Sequence, residues 1–441
     1  MAKPARLRII NDVALVQMDA PPVNALGAAM LSRLWDVFHR IAEEPQIKAV
    51  VILATGRMFS AGADIKEFGK PANGPTLSQV CSLIEACKVP VVAGIQGAAL
   101  GGGAELAMAA HYRVALRSAV IGLPEVTLGL VPGGGGTQRL PRLVGAKHAL
   151  NLILGGRPIT ADAAFEIGLV DGVVDDDLAY DTMALAQQLG GPRPTFVRRD
   201  RLADGTAFLD EIAERRAVVA ATGRFASLRA LDCVEAALLL PFHTGLTFEA
   251  DSFARCLAHP QSKALRHVFL AERRISPDLL IRAPQARTVA DPLGTAVVDA
   301  LRKAWRRALR SLRERGVSEG MIDRAHVDDG FARGPFGGRD GHAGPQGAEI
   351  QRRVLAALVA EGARLVAANV VDRASDIDVL AVHGLGYPRL RGGPMMAAKL
   401  AGLLPLSEQM KRWAADDPIW QPPPLLLRAA LVADGFEALA S

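Results

Sequence analysis

The chain has 441 residues, of which 50% are hydrophobic and 22% charged, a balance that excludes disorder and suits about two to four folded domains. The net charge of +5 and sequence pI of ≈ 9.2 would suit a polyanionic partner. Only 5% of residues are aromatic, however, and the arginines are spread, with Arg302, Arg306, Arg307, Arg310, Arg313 and Arg315 on one helix-like stretch, which argues against nucleic acid. No apolar run is long enough to span a bilayer, no charged-then-apolar leader precedes the first strand pattern, and the last residues, Leu439, Ala440 and Ser441, are not a Ser-Lys-Leu ending, so the expectation is no membrane partner and a cytoplasmic location. Cys81, Cys87, Cys233 and Cys256 lack metal-ligand spacing with His and read as reduced core thiols, with no metal site.

Residues 7–19 alternate in polarity and turn at Asn11-Asp12, a hairpin signature. Met30, Leu31, Leu34, Val37, Phe38 and Ile41 have the spacing of one helix face over 27–44. Continuous apolar runs at 49–54 and 89–95 read as buried strands. Alternation of strand and helix continues to about Val174 and predicts an α/β domain. From about Tyr180 the strand signal stops and residues 205–275 read as helices. The stretch 276–292 holds three prolines and little periodicity and reads as a linker. A helix over 294–315, a glycine-rich run over 330–347, a long helix over 349–371 and a final helical region complete the chain.

Two glycine-framed segments hold the candidate chemistry: IQGAALGGGAELAMAAHYRVA at 95–115 and IGLPEVTLGLVPGGGGTQRLPRL at 121–143. Gly101-Gly102-Gly103 enters an apolar helix whose first turn carries Glu105. Glu125 follows Pro124 in a short strand-like run, and Gly133 to Gly136 come next. Upstream, FSAGADIKE at 59–67 follows a buried strand. Its contribution would be backbone, with the N–H of Ala63 beside that of Gly102 to hold negative charge developing on an oxygen, aided by the positive end of the Gly102 helix. Taken singly, each segment also reads as a glycine turn, Glu105 as a dipole-favouring helix glutamate and Glu125 as a solvated loop residue. Their order along one chain favours a single cleft with two acid/base groups.

In that order the segments resemble the enoyl-CoA hydratase/isomerase (crotonase) superfamily. The resemblance covers residues 7 to about 190 through FSAGADIKE, IQGAALGGGAELA, LPEVTLGLVPGGGGTQRLPRLVG and LGGRPITADAAFEIGLVDGVV. AHYRVA (110–115), LPFHTGLTFEADSFARCL (240–257) and LRHVFLAERR (265–274) resemble the narrower multifunctional enzyme type 1 family, which joins a hydratase to a 3-hydroxyacyl-CoA dehydrogenase. DRAHVDDGFARGPFG (323–337) and DIDVLAVHGLGYPRLRGGPMMAA (376–398) resemble its helical C-terminal domains. The implied architecture is an α/β crotonase ββα-spiral domain over 1–190, a helical linker region over 191–292 and a helical dehydrogenase C-terminal-like region over 293–441. The chain departs from that family between Arg274 and Arg302, where a nucleotide-binding domain of roughly 150 residues or more has no room. No strand–GxGxxG–helix unit is present, since position 138 after the glycine run is Gln138.

The resemblance implies reversible hydration of trans-2-enoyl-CoA to 3-hydroxyacyl-CoA. Ala63 and Gly102 would be the oxyanion-hole donors, Glu105 the base toward water and Glu125 the proton donor to C2. Coenzyme A would lie beside Ala61, Asp64, Ile65 and Lys66, although Lys66 reads nearly as well as a solvated lysine. The acyl-CoA thioester is the expected partner, with neither NAD nor metal as cofactor. Self-association stays open, because crotonase relatives often trimerise and the multidomain relatives tend to be monomers. Alternatives are a hydrolase or C–C bond-cleaving enzyme on a cyclic or branched β-oxoacyl-CoA, a Δ3–Δ2-enoyl-CoA isomerase, and a non-catalytic acyl-CoA-binding subunit.

Overall fold

The computed structural model describes residues 3–70, 73–283, 286–338, 343–415 and 417–439. The chain forms two compact units, Met1–Ala258 and His259–Ser441.

In the first unit, β1 (Ala5–Ile10) and β2 (Val13–Met18) form the expected hairpin, with Asn11 at φ 55° in the left-handed region that asparagine tolerates. α1 (Ala28–Ala42) follows and buries all six apolar positions of its predicted face. β3 (Ala49–Ala54), α2 (Leu77–Glu85), β4 (Val91–Ile95), β5 (Ala98–Leu100), α3 (Gly102–Ala109), β6 (Tyr112–Leu116) and β7 (Val120–Gly122) come next. They are followed by α4 (Gly136–Gly155), β8 (Ile159–Thr160), α5 (Ala161–Glu166), β9 (Gly172–Val174) and α6 (Leu178–Gln188).

The main sheet has the order β1-β2-β3-β4-β6-β9, antiparallel only at β1–β2. A second sheet has the order β5-β7-β8, with β5 running into the glycines at 101–103 and β7 ending just before Pro124 and Glu125. The continuous apolar character of β3 has a direct cause. Val50 and Ile52 face one core, while Ala49, Val51 and Leu53 face another that includes Leu178 and Ala186 of α6. Both faces are covered, so alternate side chains both gain from burial, roughly 1.5–3 kcal/mol for each fully buried valine or isoleucine.

The helical stretch expected between 191 and 292 divides between the units. α7 (Gly205–Ala220), α8 (Phe225–Leu239) and α9 (Phe242–Ala258) belong to the first. α8 is tied to α4 by buried bonds from Gln138 Nε2 to Cys233 O (2.8 Å) and from Arg142 Nη2 to Ala237 O (3.0 Å).

The second unit opens with α10 (Pro260–Arg274). Part of the expected linker is instead an antiparallel hairpin, β10 (Leu280–Arg282) with β11 (Arg287–Val289). Pro277 and Pro292 flank it, and fully buried Leu280 anchors it to the apolar core. Then follow α11 (Leu293–Glu314), α12 (Glu319–Asp328), α13 (Gly347–Ala367), α14 (Ala374–Gly384), α15 (Pro394–Ala401), α16 (Leu403–Ala414) and α17 (Pro424–Ala429). Of the glycine-rich run at 330–347, positions 339–342 lie outside the described residues. The stripe Ile350, Val354, Leu355, Leu358 and Val359 of α13 is buried in the core of this unit, together with Trp420. The turn at Gly386–Arg391 is held by packing and ion pairs. Tyr387 is buried, Arg389 pairs with Glu272 and Arg391 with Asp329. No described helix is long and apolar enough to cross a membrane.

Candidate active site

The first unit encloses a cavity of about 390 Å³. Its wall is built from the 61–68 segment, the start of α3, the Glu125 turn and one side of α9. The glycine run at 101–103 is required by close packing. Gly101 sits at φ 54°, and a Cβ there would lie 2.9 Å from Glu125 Oε1. A Cβ on Gly62 would lie 2.6 Å from Leu100 O and 3.1 Å from Gly102 N, so the two backbone segments touch directly. Among the described residues, neither the Ala63 N–H nor the Gly102 N–H donates to an acceptor. Both residues line the cavity. The Gly102 amide is also one of the unpaired donors of the first turn of α3, where the helix dipole is positive.

Glu105 is 2% exposed. Its Oε1 accepts hydrogen bonds from Gly134 N (2.7 Å) and Gly136 N (2.8 Å). Glu125 does not lie in a strand. It opens a 3-10 turn, Glu125–Leu128, that begins after Pro124 and ends on Gly129 at φ 66°. That turn aims the carboxyl into the cavity, where its Oε2 is enclosed and has no partner among the described residues.

The two acids therefore sit in opposed environments. Burial raises the pKa of Glu105, while the amides of Gly136 and Gly134 and the Arg139 charge pull it down. Burial raises Glu125 well above the ordinary carboxylate range, the Glu105 charge raises it further, and only its own backbone N–H opposes. Environments that push two carboxyls apart in this way leave one able to take a proton and the other able to give one.

Sequence reading missed a third acid. Glu249 of α9 is 1% exposed. Its Oε1 accepts from Gly135 N (2.6 Å), and its Oε2 from Thr137 N (2.8 Å) and Thr137 Oγ1 (2.6 Å). The amides of 134, 135, 136 and 137 thus go alternately to Glu105 and Glu249. Burial and the Glu105 charge push Glu249 up to about 8, against the bonds from Thr137 and Gly135. Arg139 closes the turn through Nη1 to Gly134 O (2.8 Å) and pairs with buried Glu85 at 2.8 Å. A signal was available in the sequence. Phe242, Gly245, Glu249, Ser252 and Cys256 are the buried positions of α9, so a glutamate stands at helical spacing on a core-facing stripe, where it needs a partner.

Ala61, Asp64 and Ile65 line the cavity. Lys66 does not. It is exposed on the adjacent 3-10 turn, Ile65–Glu67, where Asp64 Oδ1 caps its N–H at 3.0 Å. All four cysteines are free, and burial raises their thiols, that of Cys233 to about 12, so none is a thiolate at neutral pH.

Residues 8–201 match the family described as Enoyl-CoA hydratase/isomerase. The N-terminal part of the chain belongs to that family. The main unit accordingly has the crotonase fold, followed by a large helical portion. The chain is 39% identical over 275 residues to the peroxisomal bifunctional enzyme of Danio rerio, covering 61% of this chain and 38% of that protein. The Homo sapiens protein of the same name is 40% identical over 276 residues, covering 60% and 38%. The chain thus spans well under half the length of these curated relatives. Among solved structures, the carnitinyl-CoA hydratase from Mycobacterium avium is 28% identical with a TM-score of 0.48, over 62% of this chain and 97% of that one.

Proposed function

We propose that this chain adds water to a trans-2-enoyl-CoA, giving the 3-hydroxyacyl-CoA, and catalyses the reverse. The observation that carries the reading is the pairing on one cavity of an amide-held acid, Glu105, with an unpartnered acid, Glu125, beside two amides without acceptors. The thioester oxygen accepts from Ala63 N–H and Gly102 N–H. Glu105 takes a proton from water as the water oxygen bonds to C3. The C2–C3 π electrons move toward the thioester, and the resulting negative charge on oxygen is held by the two amides. Glu125 then gives its proton to C2. Passage of a proton from Glu105 back to Glu125 resets the pair, so one water has been added. Loss of one oxyanion donor from such a hole typically removes about 2.7–4 kcal/mol of transition-state stabilisation.

The thioester's nucleotide end lies along Ala61, Asp64 and Ile65, with Lys66 exposed nearby for its phosphates. We assign no NAD-dependent step to this chain. The description of the matched family supports an acyl-CoA substrate. The test is a panel of enoyl-CoA thioesters followed by loss of the enone absorbance, with products weighed by mass spectrometry. A product heavier by one water supports hydration. Carbon–carbon cleavage, or a shifted double bond without water uptake, would replace it with the hydrolytic or isomerase reading.

A further inference from the structure

We propose that Glu249 is a positioning residue for the hydration chemistry, holding the 134–137 turn in the one arrangement that lets Gly134 and Gly136 grip Glu105. The inference rests on the reading of Glu105 as the base. Four successive amides alternate between two buried carboxylates, so each acid sets the direction in which the other's donors point. Gly134 N and Gly136 N reach Glu105 Oε1 at 2.7 and 2.8 Å, and Gly135 N and Thr137 N reach Glu249 at 2.6 and 2.8 Å.

The turn's other ties engage none of these four amides. Gly135 sits at φ 99°, so backbone sterics do not lock it. Its other ties are Arg139 Nη1 to Gly134 O, the amides of Gln138 and Arg139 to Gly135 O (3.1 and 2.8 Å), and the Thr137 hydroxyl, which accepts from Gln138 Nε2 (2.9 Å) and itself donates to Glu249. Room is also short. A Cβ on Gly134 would lie 2.9 Å from Glu105 Oε2, and one on Gly136 would lie 2.8 Å from Glu105 Oε1. A peptide rotation at Gly135 would therefore swing a carbonyl toward Glu105 in place of a donor, which would leave the base unsupported and misplaced. Glu249 itself does not line the cavity, whereas its helix neighbours Ala250 and Phe253 do, so it acts through Glu105 and not on substrate.

The experiment is a double-mutant cycle on the full chain with an enoyl-CoA thioester. Glu105→Gln, Glu249→Gln and the double variant are compared for kcat, KM and melting temperature. Misplacing a catalytic group by about 1 Å lowers turnover by roughly 100-fold, so Glu249→Gln should lower kcat by about 10- to 100-fold with KM changed by less than about threefold. The double variant should be no slower than Glu105→Gln alone, because Glu249 has nothing left to position. Wild-type kcat in Glu249→Gln, or a double variant slowed by the product of the two single effects, overturns the proposal. Should Glu249→Gln not fold, Glu249→Asp takes its place in the same cycle. It keeps the carboxyl group but is too short to reach both amides, and the same two outcomes decide. Near-normal turnover in Glu105→Gln would instead strike at the hydration mechanism itself, whatever Glu249 does.

Discussion

Replacing Glu125 should lower activity and raise stability together. Its Oε2 is enclosed without a partner among the described residues, and burial and the Glu105 charge both favour its protonated form. Leaving a buried polar group unsatisfied costs about 1–3 kcal/mol. Glu125→Met removes that penalty and keeps an unbranched side chain of similar length, so a gain of about 1–2 kcal/mol is expected. For a unit of this size, about 1 kcal/mol moves the melting temperature by roughly 2–4 °C, which calorimetry resolves. Glu125→Gln leaves the shape almost unchanged but removes the transferable proton. Its kcat should fall by roughly 100- to 10,000-fold, as for a positioned general acid, with little change in KM. The trade of stability for activity is the signature of a strained functional group. A lower melting temperature in Glu125→Met would mean that Oε2 has a partner and that the proton-donor argument starts from the wrong state. Near-normal turnover in Glu125→Gln would remove it altogether.

Turnover depends on pH through both acids. The base Glu105 must be ionised, so kcat falls as pH drops through its raised pKa, above the free glutamate value of about 4.3. The acid Glu125 must be protonated, so kcat falls again as pH rises through its still higher pKa. The limbs belong to the coupled cluster, Glu249 included. A profile flat from about pH 4 into the alkaline range would contradict the assignment. In the second unit, burial raises Glu272, but hydrogen bonds from Arg389 and His383 outweigh it and hold it at about 2. Allowing about 1.36 kcal/mol for each pKa unit and discounting for solvent screening, this contributes about 2 kcal/mol. The folded value is depressed, so the contribution is complete above about pH 4.3 and is lost as pH falls toward 2. The melting gap between wild type and Glu272→Gln should close over that window, and a gap independent of pH would show that packing carries it. Finally, with no strand–GxGxxG–helix unit in the sequence, the chain should not bind NAD. Micromolar binding in a calorimetric titration would contradict this.

Much of the fold could be read from the sequence because its signals are local. The six apolar positions of α1, the runs of β3 and β4 and the Asn11-Asp12 turn each express a backbone period or a turn preference within a few residues. The glycine runs and the two acids beside them were legible for the same reason. Nothing local marks Glu125 as the start of a 3-10 turn, because Pro124 suits both that turn and an extended run. The strands at 280–282 and 287–289 are each three residues long and flanked by prolines, so they show little period of their own. Glu249 is the clearest case of what only the tertiary structure decided. It bonds to Gly135 across 114 positions of chain. Helical spacing could say that this glutamate faces a core, but not which amides wait there. That depends on α9 packing beside the start of α4, and so on the sum of many buried contacts, none of which is written in the residues next to it.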